Sequence, residues 1–403
     1  MNIALIVRRL DTRGGTQRQA LALAHTLKER GNNVVVYTFR YQPSETFSES
    51  LKGIRVVALD QKEGKDYSHS IPFLPKFFSD YLNDNRCARA LARCIDVDTH
   101  VLNPHDQVSY RVAVYFKKKV KQIPSVWMMN DMPTKYASMI REREVYGYHR
   151  TSLLKRIIYK FFDFFEIRCF IKPQDAIVVL DHRDKKWAQE FFKKDAFVVR
   201  SGLDHNRFTY RERTLSSNKR INILTTSIFL PHRRFEDTLR AIRMLLNTKE
   251  YDIQFSIVGG FHNKGYVEFI RKVIKEEKLQ HNVSLLGAVS DEKLQALYRD
   301  ADIFVFVSHM QSWGIAVFEA LASGIPTVVS ETTGASEILK NGLHAITVPP
   351  KNPRRIADAL NTLITDPDLY QSLSREGRAL VLSEISWEQY SKKMEAIMEH
   401  VMR

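Results

Sequence analysis

Cysteine is scarce in this 403-residue chain. Cys87, Cys94 and Cys169 are odd in number and lack C-x-x-C spacing, which excludes a disulfide framework and a zinc site built on paired cysteines. A reducing cytosol is the compartment that fits. Cys87 and Cys94 are seven residues apart, a spacing that would set them on one helix face as buried thiols. Long apolar runs are missing too: no stretch of about 18 apolar residues occurs, so no spanning helix is expected. The apolar run ahead of Arg8 and Arg9 is short and lacks a cleavage site, so it reads as a first strand and not as a secretory signal. No low-complexity tract or short sequence period is present, which excludes collagen-like and solenoid architectures.

What is there is a packable chain of two-domain size. Hydrophobic residues make up 44% and charged residues 27%, and single cores stop growing at about 250 to 300 residues. Lys plus Arg minus Asp plus Glu is 61 − 46 = +15, which favours an anionic partner: nucleic acid, phosphorylated small molecules or an acidic membrane surface.

Short continuous apolar runs alternate with helical spacing. Residues 3–7, 34–38, 54–59, 99–102, 125–129 and 176–180 read as strands, the pattern of parallel strands buried on both faces. A polar stretch at 205–219 reads as a linker. The alternation then restarts with strands at 221–225, 255–258, 283–286, 303–307, 327–329 and 345–348, and helices beginning near Arg234, Lys264, Asp291, Gly314, Ala335 and Pro353. The expectation is α/β: two doubly wound, Rossmann-like parallel-sheet domains facing across a cleft, one covering 1–204 and completed by a helix at 385–403, the other covering 205–384. Such sheets bind ligands outside the carboxyl ends of their strands.

The most informative stretch is 311–329, QSWGIAVFEALASGIPTVV. Gly314 follows a strand and permits close backbone approach, and the N–H groups of Gly314, Ile315 and Ala316 at a helix start can receive phosphate. Glu319 lies further along that helix. It either accepts hydrogen bonds from ribose hydroxyls or simply complements the helix dipole. Upstream, TSIFLPHRRFED at 226–237 also joins a strand to a helix. Arg233 and Arg234 oppose the dipole there, so a diphosphate is the favoured reason for them.

On these motifs the chain resembles the GT-B glycosyltransferases, specifically the large retaining group usually numbered family 4. That family carries E-x7-E followed by A-x-A/S-x-G-x-P-V/T-V, and only the first acid departs, as Gln311. The resemblance assigns Glu319 to the ribose and Gln311 to the donor sugar. In the family's G-R-L-x-x-x-K-G segment, aligned on Pro231, Arg233 takes the Lys position, Arg234 the Gly and Ile228 the Arg. Gly14 and Gly15 look like the family's glycine loop, or else a plain turn. Gly259, Gly287 and Val289 end strands that border the nucleotide in relatives, or else form tight turns. The passage 199–208 resembles the family's crossing into its second domain. His105 and Asn130 occupy two strand ends where relatives often place His; they read as sugar-binding groups and not as an acid/base pair, and His105 reads equally well as a lone structural histidine.

The resemblance implies a cytoplasmic hexosyltransferase of polysaccharide biosynthesis. It would move a hexose with retention from a UDP- or GDP-linked donor to a glycan, lipid-linked or small-molecule hydroxyl. The leaving phosphate itself helps take the acceptor proton, so no fixed base is required. Arg233, Arg234 and the helix start at Gly314 to Ala316 can stand in for a cation, so no metal is expected, and no cofactor apart from the nucleotide sugar. A dehydrogenase would need G-x-G-x-x-G after the first strand, which is absent. The alternative is a catalytically weak nucleotide-sugar or nucleic-acid-binding module, for which the +15 charge and Gln311 speak; interleaved basic and aromatic stacking motifs do not.

Residues 150–172, RTSLLKRIIYKFFDFFEIRCFIK, mix apolar and basic side chains as interfacial helices do. With Lys117, Lys118, Lys119 and Lys121 nearby in sequence, they open the prospect of peripheral contact with the inner face of a membrane. The competing and preferred expectation is a helix whose aromatic face lies in the core.

Overall fold

The computed structural model describes residues 1–63, 76–139, 152–215, 220–248 and 251–403. The chain divides into two compact units, Met1–Gly202 with Trp387–Arg403, and Leu203–Ser386.

In the first unit β1 (Asn2–Leu10), β2 (Asn33–Tyr41), β3 (Arg55–Ala58), β4 (Val101–His105), β5 (Val126–Met128), β6 (Ala176–Val179) and β7 (Phe197–Val198) form a parallel sheet ordered β3-β2-β1-β4-β5-β6-β7. Ile3 of β1 pairs with Val34 on one side and Val101 on the other. Residues 3–7 are all buried, because helices cover both faces, and this is why the strand reads as an unbroken apolar run. The helix Gly15–Glu29 buries Ala20, Leu23, Ala24 and Leu27. It ends where Gly31, at φ 85°, closes a Schellman motif: Gly31 N–H donates to Lys28 O (2.9 Å) and Asn32 N–H to Leu27 O (3.1 Å). The last helix, Trp387–Met402, is fastened to this unit by Glu395, which accepts from Arg30 at 2.7 Å and Asn32 at 2.6 Å.

In the second unit β8 (Ile221–Thr226), β9 (Ile253–Val258), β10 (Val283–Gly287), β11 (Ile303–Phe306), β12 (Thr327–Ser330) and β13 (Ile346–Val348) are ordered β10-β9-β8-β11-β12-β13. Ile223, Phe255, Ile257 and Val305 pack with Leu239 and Ile242 of the helix Phe235–Leu246 and Leu360 of the helix Pro353–Thr365. Both sheets reverse their order once, between β1 and β4 and between β8 and β11. The loops leaving those strand pairs diverge, so the carboxyl ends there are the places where each sheet can receive a ligand.

Four expectations change. The stretch taken as a linker is part of the second unit as far as Leu215; residues 216–219 fall outside the described set. Its Arg213 is buried and donates to the carbonyls of Tyr298, Ala301 and Ser323. These lie at two helix C-termini, where a cation is favourable. The helix expected near Ala335 is a single 3-10 turn, Gly334–Glu337, among Thr, Gly and Ser residues that favour turns. The two-residue edge strand β7 carries too little pattern to be seen. Finally, the helix Leu153–Glu166 does not bury its aromatic face. Asp163 and Glu166 point inward while Leu153, Leu154, Ile157, Phe161, Phe164 and Phe165 are exposed. The buried acids are satisfied: Asp163 accepts from the backbone N–H groups of Lys135 (2.9 Å) and Tyr136 (2.8 Å). Glu166 accepts two bonds from Arg111 at 2.8 Å and one from Tyr110 at 2.5 Å. Among the nearby lysines, Lys117 is likewise withdrawn, its ammonium bound to Asp175 and Pro173 O.

Candidate functional site

At the β8/β11 crossing the loop 227–234 is pinned by backbone bonds from Ser227 N–H to Val258 O (2.7 Å) and from Phe229 N–H to Gly260 O (3.0 Å). Gly259 makes this possible. It sits at φ 149°, and a Cβ there would meet Ser227 O at 2.0 Å, so no other residue fits. The loop ends in the 3-10 turn Pro231–Arg233, and the next helix starts at Phe235.

The two arginines of this loop part company. Arg233 donates through Nη1 to Gln311 Oε1, lies 3.5 Å from Ser308 Oγ and stands over the Phe306 ring at 5.9 Å. The Gln311 amide orients the guanidinium while bringing no negative charge to it. Arg234 instead adopts the left-handed conformation (φ 56°, ψ 39°), at the position where the family pattern has glycine. Its forked side chain bonds Asp237 twice (2.8 and 2.9 Å) and Glu236 at 2.8 Å. Glu236 also accepts from Tyr266 at 2.7 Å. The two acids sit in the first helical turn, where the dipole wants them, and they commit Arg234 to holding the loop. Its assignment to the diphosphate is therefore withdrawn.

Across the crossing, β11 leads to Gly314 at φ 78° and then to the helix Ile315–Ala322. A Cβ on Gly314 would lie 3.0 Å from Thr333 Cγ2 and 3.1 Å from the Phe306 ring. Arg233 and this helix start thus touch the same ring. The first N–H groups of a helix have no intrahelical acceptor, and no acid occupies the first turn here. Trp313, buried and stacked on Phe318 at 4.4 Å, has an indole N–H with no hydrogen-bond partner. Glu319 is held from behind, its Oε2 accepting from the Tyr298 hydroxyl at 2.8 Å; that hydroxyl in turn lies 2.7 Å from Thr226 Oγ1 at the end of β8. Tyr298 was missed in the sequence, where only its spacing on the helix Asp291–Asp300 marks it as inward-facing. Gly324 at φ 71° closes the helix by a second Schellman motif, from Gly324 N–H to Leu321 O and from Ile325 N–H to Ala320 O, so it shapes the backbone. Gly287 at φ 66° accepts from Gly259 N–H at 2.8 Å at the edge strand, and Val289 follows it half-buried.

The first unit presents a different edge. Gly14 caps the helix Gly15–Glu29 without a side-chain bond, and no acid occupies its first turn. A Cβ on Gly15 would meet nothing within 4 Å, so packing does not require glycine there. Asn130 follows β5 half-buried with its Nδ2 lacking a partner. His105 is wholly buried, and burial pushes its pKa down to about 3. Nε2 faces Asn103 Oδ1 at 2.8 Å, while Asn103 Nδ2 donates to Val126 O, which assigns the proton to Nε2. Sealed in the strand, this imidazole takes the structural reading that the sequence left open beside the sugar-binding one. The loop after it, which the sequence did not flag, holds Asp106 and Val108 both at φ 72°; for a β-branched residue that is a strained state of the sort that persists at functional loops. Among the described residues no group of three or more His, Cys, Asp or Glu side chains is arranged to hold a metal ion, and no helix is long and apolar enough to cross a membrane.

Residues 206–380 match the family model described as glycosyl transferases group 1. An uncharacterized glycosyltransferase of Methanocaldococcus jannaschii is 30% identical over 158 residues, 39% of each chain. A mannosylfructose-phosphate synthase of Agrobacterium fabrum is 25% identical over 420 residues, 96% of this chain and 86% of that protein. Among solved structures, Anabaena HepE in complex with UDP and glucose superposes with a TM-score of 0.72 at 14% identity, over 99% of this chain and 100% of that one.

Proposed function

We propose, from the group 1 glycosyl transferase match over residues 206–380 and the GT-B fold, that the chain moves a hexose from a UDP- or GDP-linked donor to a hydroxyl acceptor with retention. The acceptor is a glycan, a lipid-linked or a small-molecule hydroxyl. Free thiols and the buried Cys87 support a cytoplasmic setting, and polysaccharide assembly is the process such a transfer serves.

The observation that carries this reading is the Arg233–Gln311 pair above Phe306, beside the helix start at Gly314. It gathers a fixed guanidinium, a neutral amide and helix N–H groups at one strand crossing. Arg233 and the N–H groups of Gly314, Ile315 and Ala316 meet the diphosphate, and Gln311 reaches a donor-sugar hydroxyl. Glu319, fixed by Tyr298, accepts from the ribose. The glycosidic bond to the phosphate oxygen breaks with its electron pair leaving on the diphosphate. The acceptor oxygen bonds the same carbon from the same face, and its proton passes to the departing phosphate. Charge stabilisation is the protein's main task, which Arg233 performs without a resident cation. Gly14, Gly15 and Asn130 offer backbone N–H and amide donors to the acceptor.

A panel of nucleotide sugars, read by released nucleotide, tests the reading. A UDP- or GDP-linked hexose is turned over, and Glu319→Ala weakens donor binding about tenfold through loss of charge-assisted hydrogen bonds. Failure of every UDP- and GDP-sugar to bind, with salt-sensitive oligonucleotide binding in their place, overturns it.

A further inference from the structure

The helix Leu153–Glu166 is built inside out. Leu153 is 70% exposed and Phe161 60%, whereas Asp163 is 8% and Glu166 5%. At the helical repeat, Leu153, Phe164, Ile157, Phe161, Leu154 and Phe165 fall on one arc of about 120°. Arg156 and Lys160 border that arc, and Lys155 and, one turn beyond the helix, Arg168 are exposed as well. The two acids of the helix are spent on Arg111, Tyr110 and backbone N–H groups of the unit's interior, so the outward surface of the helix carries apolar and basic side chains and no acid. Phe162 alone of the phenylalanines turns to the fold, edge-on to Phe78 (5.4 Å) and Tyr81 (5.5 Å).

We propose that Leu153–Glu166 is a docking surface for an anionic lipid bilayer, its stripe entering the interface and its Arg and Lys side chains reaching back to the headgroups. A bilayer supplies at once the apolar medium that the stripe lacks and the negative border that the basic side chains require. A second copy docked by the same face sets Arg156 and Lys160 against their own kind, and like charges across an interface are unfavourable. The helix meets the sheet's carboxyl edge, the edge that carries Asn130 and the Gly14-Gly15 turn, through Asp163 and Glu166, which bond Lys135 and Tyr136 after β5 and Arg111 after β4. Resting on the transferase reading, this selects the lipid-linked class among the acceptors.

The test is co-sedimentation of the full chain with vesicles of phosphatidylcholine alone or with about one phosphatidylglycerol in four. The chain pellets with the anionic vesicles, less so at high salt, and stays in solution with neutral ones. Leu154→Ser with Phe161→Ser, both exposed, leaves the melting temperature unchanged and weakens partitioning about tenfold or more. Arg156→Gln with Lys160→Gln weakens it several-fold and flattens the salt dependence. The emission of a Phe161→Trp variant shifts to the blue on anionic vesicles. Absence of pelleting, indifference to the Leu154/Phe161 pair, an unmoved emission, or a dimer that this pair abolishes without any vesicle binding each overturn the proposal. No nucleotide is present, so a negative result leaves the transferase reading standing, and loss of donor binding leaves the docking untouched.

Discussion

The carboxyl edges of the two sheets are made alike and equipped differently. At the β8/β11 edge a cation, Arg233, is held by the neutral Gln311. At the β1/β4 edge Arg8 bonds Asp84 at 3.0 Å, Arg9 bonds Asp11 at 2.8 and 2.9 Å, and His105 is sealed. What stands ready there is backbone at Gly14 and Gly15 and the Asn130 amide. A diphosphate leaving group demands fixed positive charge, while a hydroxyl acceptor whose proton goes to that phosphate asks only for hydrogen bonds. On the proposed transfer, the orienting amide and cation of the second edge suit the donor, and the backbone and amide groups of the first suit a hydroxyl acceptor.

The largest break in the comparison comes from the adjacent arginines. Arg233→Ala lowers turnover about a hundredfold with the fold intact, as removal of one charge-stabilising group does. Arg234→Ala does the reverse. It leaves Glu236 and Asp237 buried without their cation and costs about 3 kcal/mol of stability, read as a lower urea midpoint, with donor affinity of the folded protein kept. Equal loss of turnover in both variants, at equal folding, returns Arg234 to the diphosphate.

The first edge is probed through His105. Its folded pKa of about 3 lies below the ordinary 6.5, so between those values the unfolded chain binds a proton that the folded chain refuses. Stability therefore falls as pH drops below about 6.5, by about 2 kcal/mol at about pH 5. Urea melts at about pH 7 and pH 5 measure the slope, and His105→Gln flattens it. A parent and variant with the same slope would falsify the burial argument.

Sequence reading reached the alternation of strands because parallel strands covered on both faces must be apolar throughout, and it reached Gln311, Gly314 and Glu319 because a strand, a turn and a helix start leave local marks. It failed where the outcome depends on which way a face points. The stripe of Leu153–Glu166 was visible, but periodicity groups residues without saying which group goes inward, and here two acids with buried partners decided it. Arg234 carried its own correction in the order R-R-F-E-D, since acids two and three residues on are within reach of its guanidinium. For His105 nothing local records burial.

The finest cut at the comparison is Gln311→Glu, which puts a carboxylate where Arg233 now meets a neutral amide. The new carboxylate sits within hydrogen-bond reach of Arg233, whose charge keeps it ionised at neutral pH. Part of the local attraction for a diphosphate is then cancelled before the donor arrives. Donor affinity falls about tenfold, in proportion to one charge interaction at a partly exposed site, and its salt dependence shrinks because less net charge faces the phosphates. Gln311→Leu separates the two functions of the amide: it removes the acceptor that orients Arg233 without adding charge, so turnover drops while the salt dependence of binding stays that of the parent. Calorimetric titration with the donor at two salt concentrations distinguishes these outcomes. If Gln311→Glu binds donor as the parent does, with the same salt slope, then Arg233 does not face the diphosphate and the contrast between the two edges has another cause.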